Sequence, residues 1–207
     1  MKLLPAFLPD LISDGQRHLR RIFPRGTRIN SSNFNPLLFW RNGSHIASLN
    51  WQVFNKGMQI NEAMFVGSPG WVLKPKYLRR GSGLKDAAVQ QNGKQRLVVD
   101  IIGASSCQCI LFPLTTTPVN VNATLTVPAP NGRQGKTFST YIGAQLLHES
   151  GDMEWRSQSV KTLHDIIVGA DVLWNEQIEW YYEYDEMAFL RYVLQESVNV
   201  FGADFND

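Results

Sequence analysis

A segment between residues 79 and 93 divides this sequence into two parts of different character. It is rich in Gly, Ser, Lys and Gln and shows no hydrophobic periodicity, which is typical of a linker between domains. The part before it alternates strand-like and helix-like patterns, whereas the part after it contains strand-like patterns alone. The sequence therefore predicts a domain at 1–80, a linker at 81–94 and a second domain at 95–207.

The first part has the pattern of a parallel α/β unit. Residues 19–24 are typical of a short strand that ends at proline, and the apolar run HIASLNWQV at 45–53 predicts a strand covered on both faces. Helix-like apolar spacing follows at 57–67, and a further strand, GWVLKP, is predicted at 70–75. Strand, helix and strand within about thirty residues favour parallel pairing, because a helical crossover joins parallel strands.

The second part predicts an antiparallel β-sandwich, because short strand-like runs recur without an intervening helix pattern. These runs are QRLVVDIIGA, VNATLTVPAP, RSQSVKTL, EQIEWYYEY and FLRYVLQES, at 95–104, 121–130, 156–163, 176–184 and 189–197. The stretch 131–155 shows no such pattern, and we expect it to be a mobile insertion.

Charge is distributed unevenly along the chain, although twenty basic and eighteen acidic side chains nearly cancel. From Gln16 to Arg41 the chain has several arginines and no acidic residue, whereas the stretch after Asp171 is rich in Asp and Glu. A net charge of +2 gives no general electrostatic reason to bind nucleic acid. The arginine-rich stretch instead indicates a local anion site.

Arg21 and Phe23 are the candidate ligand-binding residues of this stretch. Residues two apart in a strand project from the same face, so a cation and an aromatic ring are presented side by side. Guanidinium groups match phosphate oxygens, and an aromatic face can cover the apolar face of a sugar or cyclitol ring. The spacing also leaves open a structural salt bridge for Arg21 with a core position for Phe23.

Metal ligation by cysteine and histidine is not expected. Cys107 and Cys109 would need two further ligands to hold zinc, and the four histidines show no ligand spacing to them or to one another. Two cysteines are too few for a disulfide framework, which favours reduced thiols in the cytosol. The apolar opening MKLLPAFLPDLI is short and twice interrupted by proline, so it predicts neither a signal-peptide core nor a membrane span.

The run RIFPRGTRINSSNFNPLLFWRNGSHIASLNWQ, followed by GWVLKPKYLR, resembles the Y-box of eukaryotic phosphoinositide-specific phospholipase C. The Y-box pattern runs R-I-Y-P-x-G-T/W-R-x-x-S-S-N-Y/F-N-P, then W-N-x-G, A-L-N-F-Q and G-Y-V-L-K-P, and the match covers about residues 15–80. In that family, X and Y halves form the catalytic barrel and a C2 domain follows. The resemblance implies α/β plus all-β structure: the C-terminal portion of a TIM-like (β/α)8 barrel, then an incomplete antiparallel C2-type β-sandwich.

The resemblance also implies an activity, the calcium-dependent hydrolysis of phosphatidylinositol 4,5-bisphosphate to diacylglycerol and inositol trisphosphate in lipid signalling. It implies a cytoplasmic protein that associates peripherally with membranes. Carried over position by position, Arg21 contacts a ring phosphate, and Phe23 replaces the family's ring-stacking tyrosine without its hydroxyl.

Catalytic groups are not assigned to this chain, because the family's catalytic histidines and calcium ligands lie in the X half, which the sequence does not resemble. We therefore expect the chain alone to be inactive, with a separate X-half chain as a possible partner. The alternative is a non-catalytic phosphoinositide-binding module that uses Arg21, Arg25 and Arg28.

Calcium binding by the C2-like part is not expected. Its first loop, GASSCQCILFPLTTTPVN, contains no acidic residue, and the acidic pair of the family's third loop falls on Glu196 and Val198. A calcium site needs several oxygen ligands around one ion. Asp204 and Asp207 could complete such a ligand shell or be free surface acids, and we expect any membrane association of this part to be independent of calcium.

Overall fold

The computed structural model describes residues 7–26, 30–81, 93–105, 125–126, 137–163 and 171–196. The chain divides into two compact units, Met1–Asn92 and Gly93–Ala203. Among the described residues, the α-helices belong to the first unit and the long strands to the second. Most of the predicted linker lies outside the described residues, and the predicted domain boundaries stay predictions.

The first unit contains helices and a two-stranded parallel sheet. Its elements in chain order are α1 Leu8–Gly15, β1 Arg21–Ile22, α2 Leu37–Trp40, β2 Ile46–Ala47 and α3 Lys56–Phe65, followed by a 3-10 turn at Lys76–Leu78. β1 and β2 pair in parallel, with Arg21 opposite Ile46. α2 therefore belongs to the connection between two parallel strands, which is the arrangement expected of an α/β unit.

Local chemistry explains where the helices of this unit begin. Asn55 is the N-cap of α3, and its side-chain oxygen accepts a hydrogen bond from the backbone N–H of Met58 at 3.4 Å. Asn35 Oδ1 accepts from the backbone N–H of Leu37 at 3.0 Å where α2 begins. Leu37 and Met58 are at most 2% exposed, so each helix contributes a large apolar side chain to the core of the unit.

The helices of the first unit are short. α3 has ten residues, whereas a helix that crosses a bilayer needs about 20 apolar residues. Within the described ranges, no helix is long and apolar enough to cross a membrane.

Two strands predicted in the first unit are shorter than expected or absent. The run 45–53 forms only the two-residue strand β2, and no strand forms at 70–75. The prediction that 45–53 is covered on both faces is wrong, because Ile46 is 41% and Trp51 is 70% exposed. Apolar composition alone predicted burial, but burial of a strand also requires neighbouring elements on both faces.

The second unit consists of strands in its described part. They are β3 Lys94–Ser105, β4 Leu125–Thr126, β5 Thr137–Leu147, β6 Met153–Arg156, β7 Val160–Leu163, β8 Val172–Glu183 and β9 Phe189–Glu196. One sheet has the order β4-β3-β8, and in the other sheet β5 pairs with β6, β7 and β9. All pairings are antiparallel except the short contact between β3 and β4, which is parallel. The expectation of antiparallel β structure is thus confirmed for the longer strands.

One hydrophobic core joins the two sheets of this unit. Buried side chains of β3 and β8, among them Val99 and Ile178, cluster with Ile142 and Ala144 of β5. Along most of β8, buried and exposed residues alternate, which is the pattern of a strand with one covered face. The sheets therefore share a core, as the sheets of a β-sandwich do.

The prediction of a mobile insertion at 131–155 is wrong for its described part, which forms β5 and most of β6. β5 pairs with three other strands. Its polar residues concealed the strand pattern: Gln145 is 2% exposed, donates to Glu154 Oε1 and accepts from Arg191 Nη1, both at 2.7 Å. A buried glutamine satisfied by cross-strand partners gives no apolar alternation to the sequence.

Candidate functional site

The candidate site lies where β1 and β2 end. Because these strands are parallel, their carboxyl ends meet at the same edge. Phe23 follows β1 and Ser48 follows β2 at this edge. In parallel α/β folds, ligands bind at the carboxyl ends of the strands.

Arg21 is held by a side chain from the neighbouring strand end. Its Nε donates a hydrogen bond to Ser48 Oγ at 2.8 Å. The backbone N–H of Ser48 donates to the carbonyl of Ile22 at 2.9 Å, which continues the pairing of the two strands. Within the described residues, the Nη groups of Arg21 have no hydrogen-bond partner and no carboxylate forms a salt bridge with it. The guanidinium group therefore keeps donors available for an anion.

Phe23 is exposed rather than part of the core. Its side chain is 70% exposed, and Arg21 is exposed as well, while Ile22 between them is half-buried. Alternation along an extended chain thus gives Arg21 and Phe23 the same face, as the spacing predicts. The alternative reading, a core position for Phe23, is wrong.

Asn33 joins the loop after β1 to the loop after β2. Its Nδ2 donates to the carbonyls of Asn50 and Val53, both at 3.1 Å, and its Oδ1 accepts from the backbone N–H of Asn50 at 2.6 Å. Asn50 Nδ2 in turn donates to the carbonyl of Ser31 at 2.9 Å. Because Asn33 is 9% exposed, these hydrogen bonds fix both loops against each other.

A second polar cluster lies at the amino-terminal ends of β1 and β2. Lys74 Nζ donates to Gly43 O at 2.7 Å and to Gly15 O at 3.2 Å, and lies 2.8 Å from His45 Nε2. Gly15 is the last residue of α1, so this ammonium group stabilises the carbonyl end of the helix. Burial first, and then the charge of Arg20, lower the pKa of Lys74 below its usual value.

The stability of the first unit is expected to fall as the pH drops below 6.5, because of His45. Burial first, and then the charges of Lys74 and Arg20, lower the pKa of His45 below its ordinary value of 6.5. The folded state then binds fewer protons than the unfolded state, so stability is fully present above pH 6.5 and is lost as the pH falls through the folded-state pKa.

The measurement is urea unfolding of the wild type and of His45→Gln at a series of pH values. The free energy of unfolding of the first unit is expected to decline more steeply with acidification in the wild type. Equal slopes in the two proteins would contradict the assignment of this pH dependence to His45.

Several residues considered at the sequence level lie outside the described residues. They are Arg28, Cys107, Cys109, Val198, Asp204, Asp207 and the side chain of Glu196. Among the side chains that the structure describes, no group of three or more His, Cys, Asp or Glu could hold a metal ion. The calcium response of the C2-like part stays a prediction.

Sequence reasoning missed three residues that shape this unit: Ser48, Asn33 and Lys74. A signal for Ser48 exists, because it stands where the Y-box pattern A-L-N-F-Q has alanine. Asn33 belongs to the quoted Ser-Ser-Asn-Phe-Asn-Pro run, but the partners of its side chain lie at least 17 residues further along the chain. Spacing alone does not reveal such contacts.

The first unit matches a known family. Residues 4–77 match the family described as phosphatidylinositol-specific phospholipase C, Y domain. Residues 4–77 are thus similar to the Y domain of phosphoinositide phospholipase C, and the resemblance drawn from the Y-box residues is confirmed.

Similar curated proteins are named as 1-phosphatidylinositol 4,5-bisphosphate phosphodiesterases. The 1-phosphatidylinositol 4,5-bisphosphate phosphodiesterase 1 of Candida albicans is 48% identical over 67 residues, covering 31% of this chain and 6% of that protein. The Dictyostelium discoideum phosphodiesterase is 37% identical over 102 residues, covering 46% and 13%. The beta-4 form of Bos taurus is 40% identical over 73 residues, covering 34% and 7%. The chain thus aligns with between 6 and 13% of the length of these relatives.

Proposed function

We propose that this chain acts as the Y half of a phosphoinositide phospholipase C that hydrolyses phosphatidylinositol 4,5-bisphosphate to diacylglycerol and inositol trisphosphate. In this proposal the first unit is the C-terminal portion of a TIM-like barrel, and the second is a C2-type β-sandwich. The family match of residues 4–77 and the parallel pairing of β1 with β2 support the first assignment. The shared core of two mostly antiparallel sheets supports the second.

The placement of Arg21 carries the proposal. Its guanidinium group stands at the carboxyl edge of two parallel strands, where barrel enzymes bind their substrates. Its Nε is engaged by Ser48, while within the described residues the Nη groups have no partner. Two parallel N–H donors match two oxygens of a ring phosphate. The exposed ring of Phe23 on the same face offers an apolar surface to the inositol ring.

The reaction requires groups beyond those of the candidate site. Attack of the inositol 2-hydroxyl on the phosphodiester needs a base, an acid and a cation that holds the developing charge. The family is calcium-dependent, but the described residues of this chain do not fit a calcium ion. We therefore assign the catalytic histidines and the calcium ligands to an X half, in a separate chain or in a longer protein.

Exposed apolar side chains of the first unit support such a partner. Trp51, Trp71 and Leu73 are between 70% and 74% exposed. Large apolar side chains at such exposure are available for contact with another protein surface or a membrane. We propose that the protein is cytoplasmic, associates peripherally with membranes and packs against an X half.

A non-catalytic phosphoinositide-binding module is the second candidate function. Arg21 and Arg25 are both exposed cations of the arginine-rich stretch. They would bind an anionic headgroup without any catalytic group, so this reading shares the binding step and differs only in the absence of hydrolysis.

Replacement of Arg21 by methionine is expected to weaken binding to vesicles that contain phosphatidylinositol 4,5-bisphosphate by about 10- to 100-fold, the range for losing a charge-assisted hydrogen bond. Arg80→Met is the matched control, because it removes the same charge from an exposed residue outside the arginine-rich stretch. Vesicle sedimentation measures both, with phosphatidylserine vesicles as the reference surface. Equal losses in the two variants would mean that Arg21 contributes only general charge.

A further inference from the structure

Ser48 supplies a hydroxyl that the Y-box pattern does not contain. The pattern A-L-N-F-Q has alanine at this position, and Phe23 at the same edge lacks the hydroxyl of the tyrosine in R-I-Y-P. The edge therefore loses one hydroxyl at residue 23 and gains another at residue 48. The gained hydroxyl is the one that contacts Arg21.

Ser48 itself is fixed against β1. Its backbone N–H donates to the carbonyl of Ile22 at 2.9 Å, while its Oγ accepts from Arg21 Nε at 2.8 Å. Two consecutive residues of β1 are thus bonded to one residue at the end of β2. A hydroxyl anchored in this way restricts the arginine, whose long side chain otherwise loses much rotamer freedom when it binds a ligand.

The hydrogen bond also decides which donors of the guanidinium group remain. A guanidinium group can contact a phosphate through its Nε and one Nη, or end-on through both Nη groups. Because Ser48 occupies Nε, only the end-on arrangement is left for a contact with two hydrogen bonds.

We propose that Ser48 is a positioning residue, whose hydroxyl holds Nε so that Arg21 presents its two Nη groups end-on to a phosphate of a phosphorylated cyclitol. This inference rests on the proposed function, because it takes the ligand from it. The ligand chemistry is shared by a lipid headgroup and by soluble inositol trisphosphate. Vesicle binding and titration with the soluble compound distinguish these two sources.

The first test measures the hydrogen bond without any ligand. Nitrogen-15 NMR of the full chain follows exchange of the Arg21 Nε–H with water, and the signal is assigned by its loss in Arg21→Lys. Exchange is expected to be about five- to tenfold faster in Ser48→Ala than in the wild type. Loss of one net hydrogen bond raises the population of the unbonded Nε–H, from which exchange occurs, by about this factor. Ser48→Thr keeps a hydroxyl and is expected to restore slow exchange. Equal exchange in the wild type and Ser48→Ala would overturn the proposal.

The second test measures ligand binding. Ser48→Ala is expected to bind vesicles that contain phosphatidylinositol 4,5-bisphosphate about five- to tenfold more weakly than the wild type, and Ser48→Thr is expected to recover most of the loss. Ser13→Ala is the matched control, because Ser13 Oγ also accepts a hydrogen bond from an arginine, Arg17, at 3.3 Å on the exposed surface. Thermal melts of all variants show whether folding is unchanged.

The outcomes separate this inference from the proposed function. If Arg21→Met loses binding while Ser48→Ala binds as the wild type does, the positioning role is overturned and the proposed function stands. If Arg21→Met binds as tightly as the wild type, or the wild type binds neither vesicles nor inositol trisphosphate, both are overturned. Recovery by Ser48→Thr supports positioning, since a role as mere packing would not require the hydroxyl.

Discussion

Replacement of Asn33 by alanine is expected to lower the free energy of unfolding of the first unit by about 2–4 kcal/mol. The change leaves two carbonyls, of Asn50 and Val53, and the backbone N–H of Asn50 without their side-chain partner. A buried group that loses its hydrogen bond costs about 1–3 kcal/mol. Asn50 and Val53 are half-buried, and the Asn50 carbonyl keeps the backbone N–H of Val53 at 3.3 Å, so the expected loss is smaller than the sum for three buried groups. Asn33 itself is 9% exposed, so water does not fully replace its hydrogen bonds.

Hydrogen exchange of peptides from residues 45–60, followed by mass spectrometry, measures this effect in the first unit alone. Asn30→Ala is the control, because Asn30 is exposed and, among the described residues, its side chain accepts from the backbone N–H of Ser32 alone, at 3.1 Å. The control is expected to change stability by less than about 0.5 kcal/mol. Equal protection in Asn33→Ala and Asn30→Ala would show that the asparagine does not hold the two loops together.

The sequence predicted elements well where local pattern and tertiary environment agree. The helix expected at 57–67 is α3, one residue earlier at its start, because Asn55 provides an N-cap. All but the last residue of the run 176–184 lies within β8, and the alternation of buried and exposed residues along β8 indicates one covered face. In each case the signal is contained in a short stretch of chain, so no distant residue is needed to read it.

Prediction failed where distant partners decide the outcome. The run 45–53 has the composition of a buried strand, yet Trp51 is 70% exposed. The opposite error occurred at β5, a central strand that was predicted to be part of an insertion. Its buried Gln145 is polar, so the sequence there lacks the apolar alternation of a strand. Burial depends on which elements pack against a strand, and that information is not local to the sequence.

In the candidate site, too, the local features were predictable from the sequence and the contacts between distant residues were not. The shared face of Arg21 and Phe23 follows from two-residue spacing, and the structure places both on the exposed surface. The contact of Arg21 with Ser48 joins residues 27 apart and depends on the parallel register of β1 and β2. The family pattern predicts residues for ligand contact, whereas the hydrogen bond between Arg21 and Ser48 is visible only in the structure.

Hydrolysis of phosphatidylinositol 4,5-bisphosphate is expected only when this chain is combined with a separately expressed X half. The proposed function assigns the base, the acid and the calcium ligands to that half, while this chain provides Arg21 and the exposed ring of Phe23. General acid–base catalysis alone contributes about 10²–10⁴-fold. The mixture is therefore expected to exceed this chain alone by at least about a hundredfold, and to exceed the X half alone because that half lacks the phosphate contact of Arg21.

The most direct test measures release of inositol trisphosphate from vesicles that contain phosphatidylinositol 4,5-bisphosphate. The chain alone, the X half alone and their mixture are compared with calcium and with a chelator, and Arg21→Met replaces the wild-type chain in a further mixture. The account predicts calcium-dependent release by the wild-type mixture, much weaker release with Arg21→Met, and none above background from this chain alone. Release by this chain alone, or a mixture no more active than the X half alone, would contradict its assignment as the Y half of a phospholipase C.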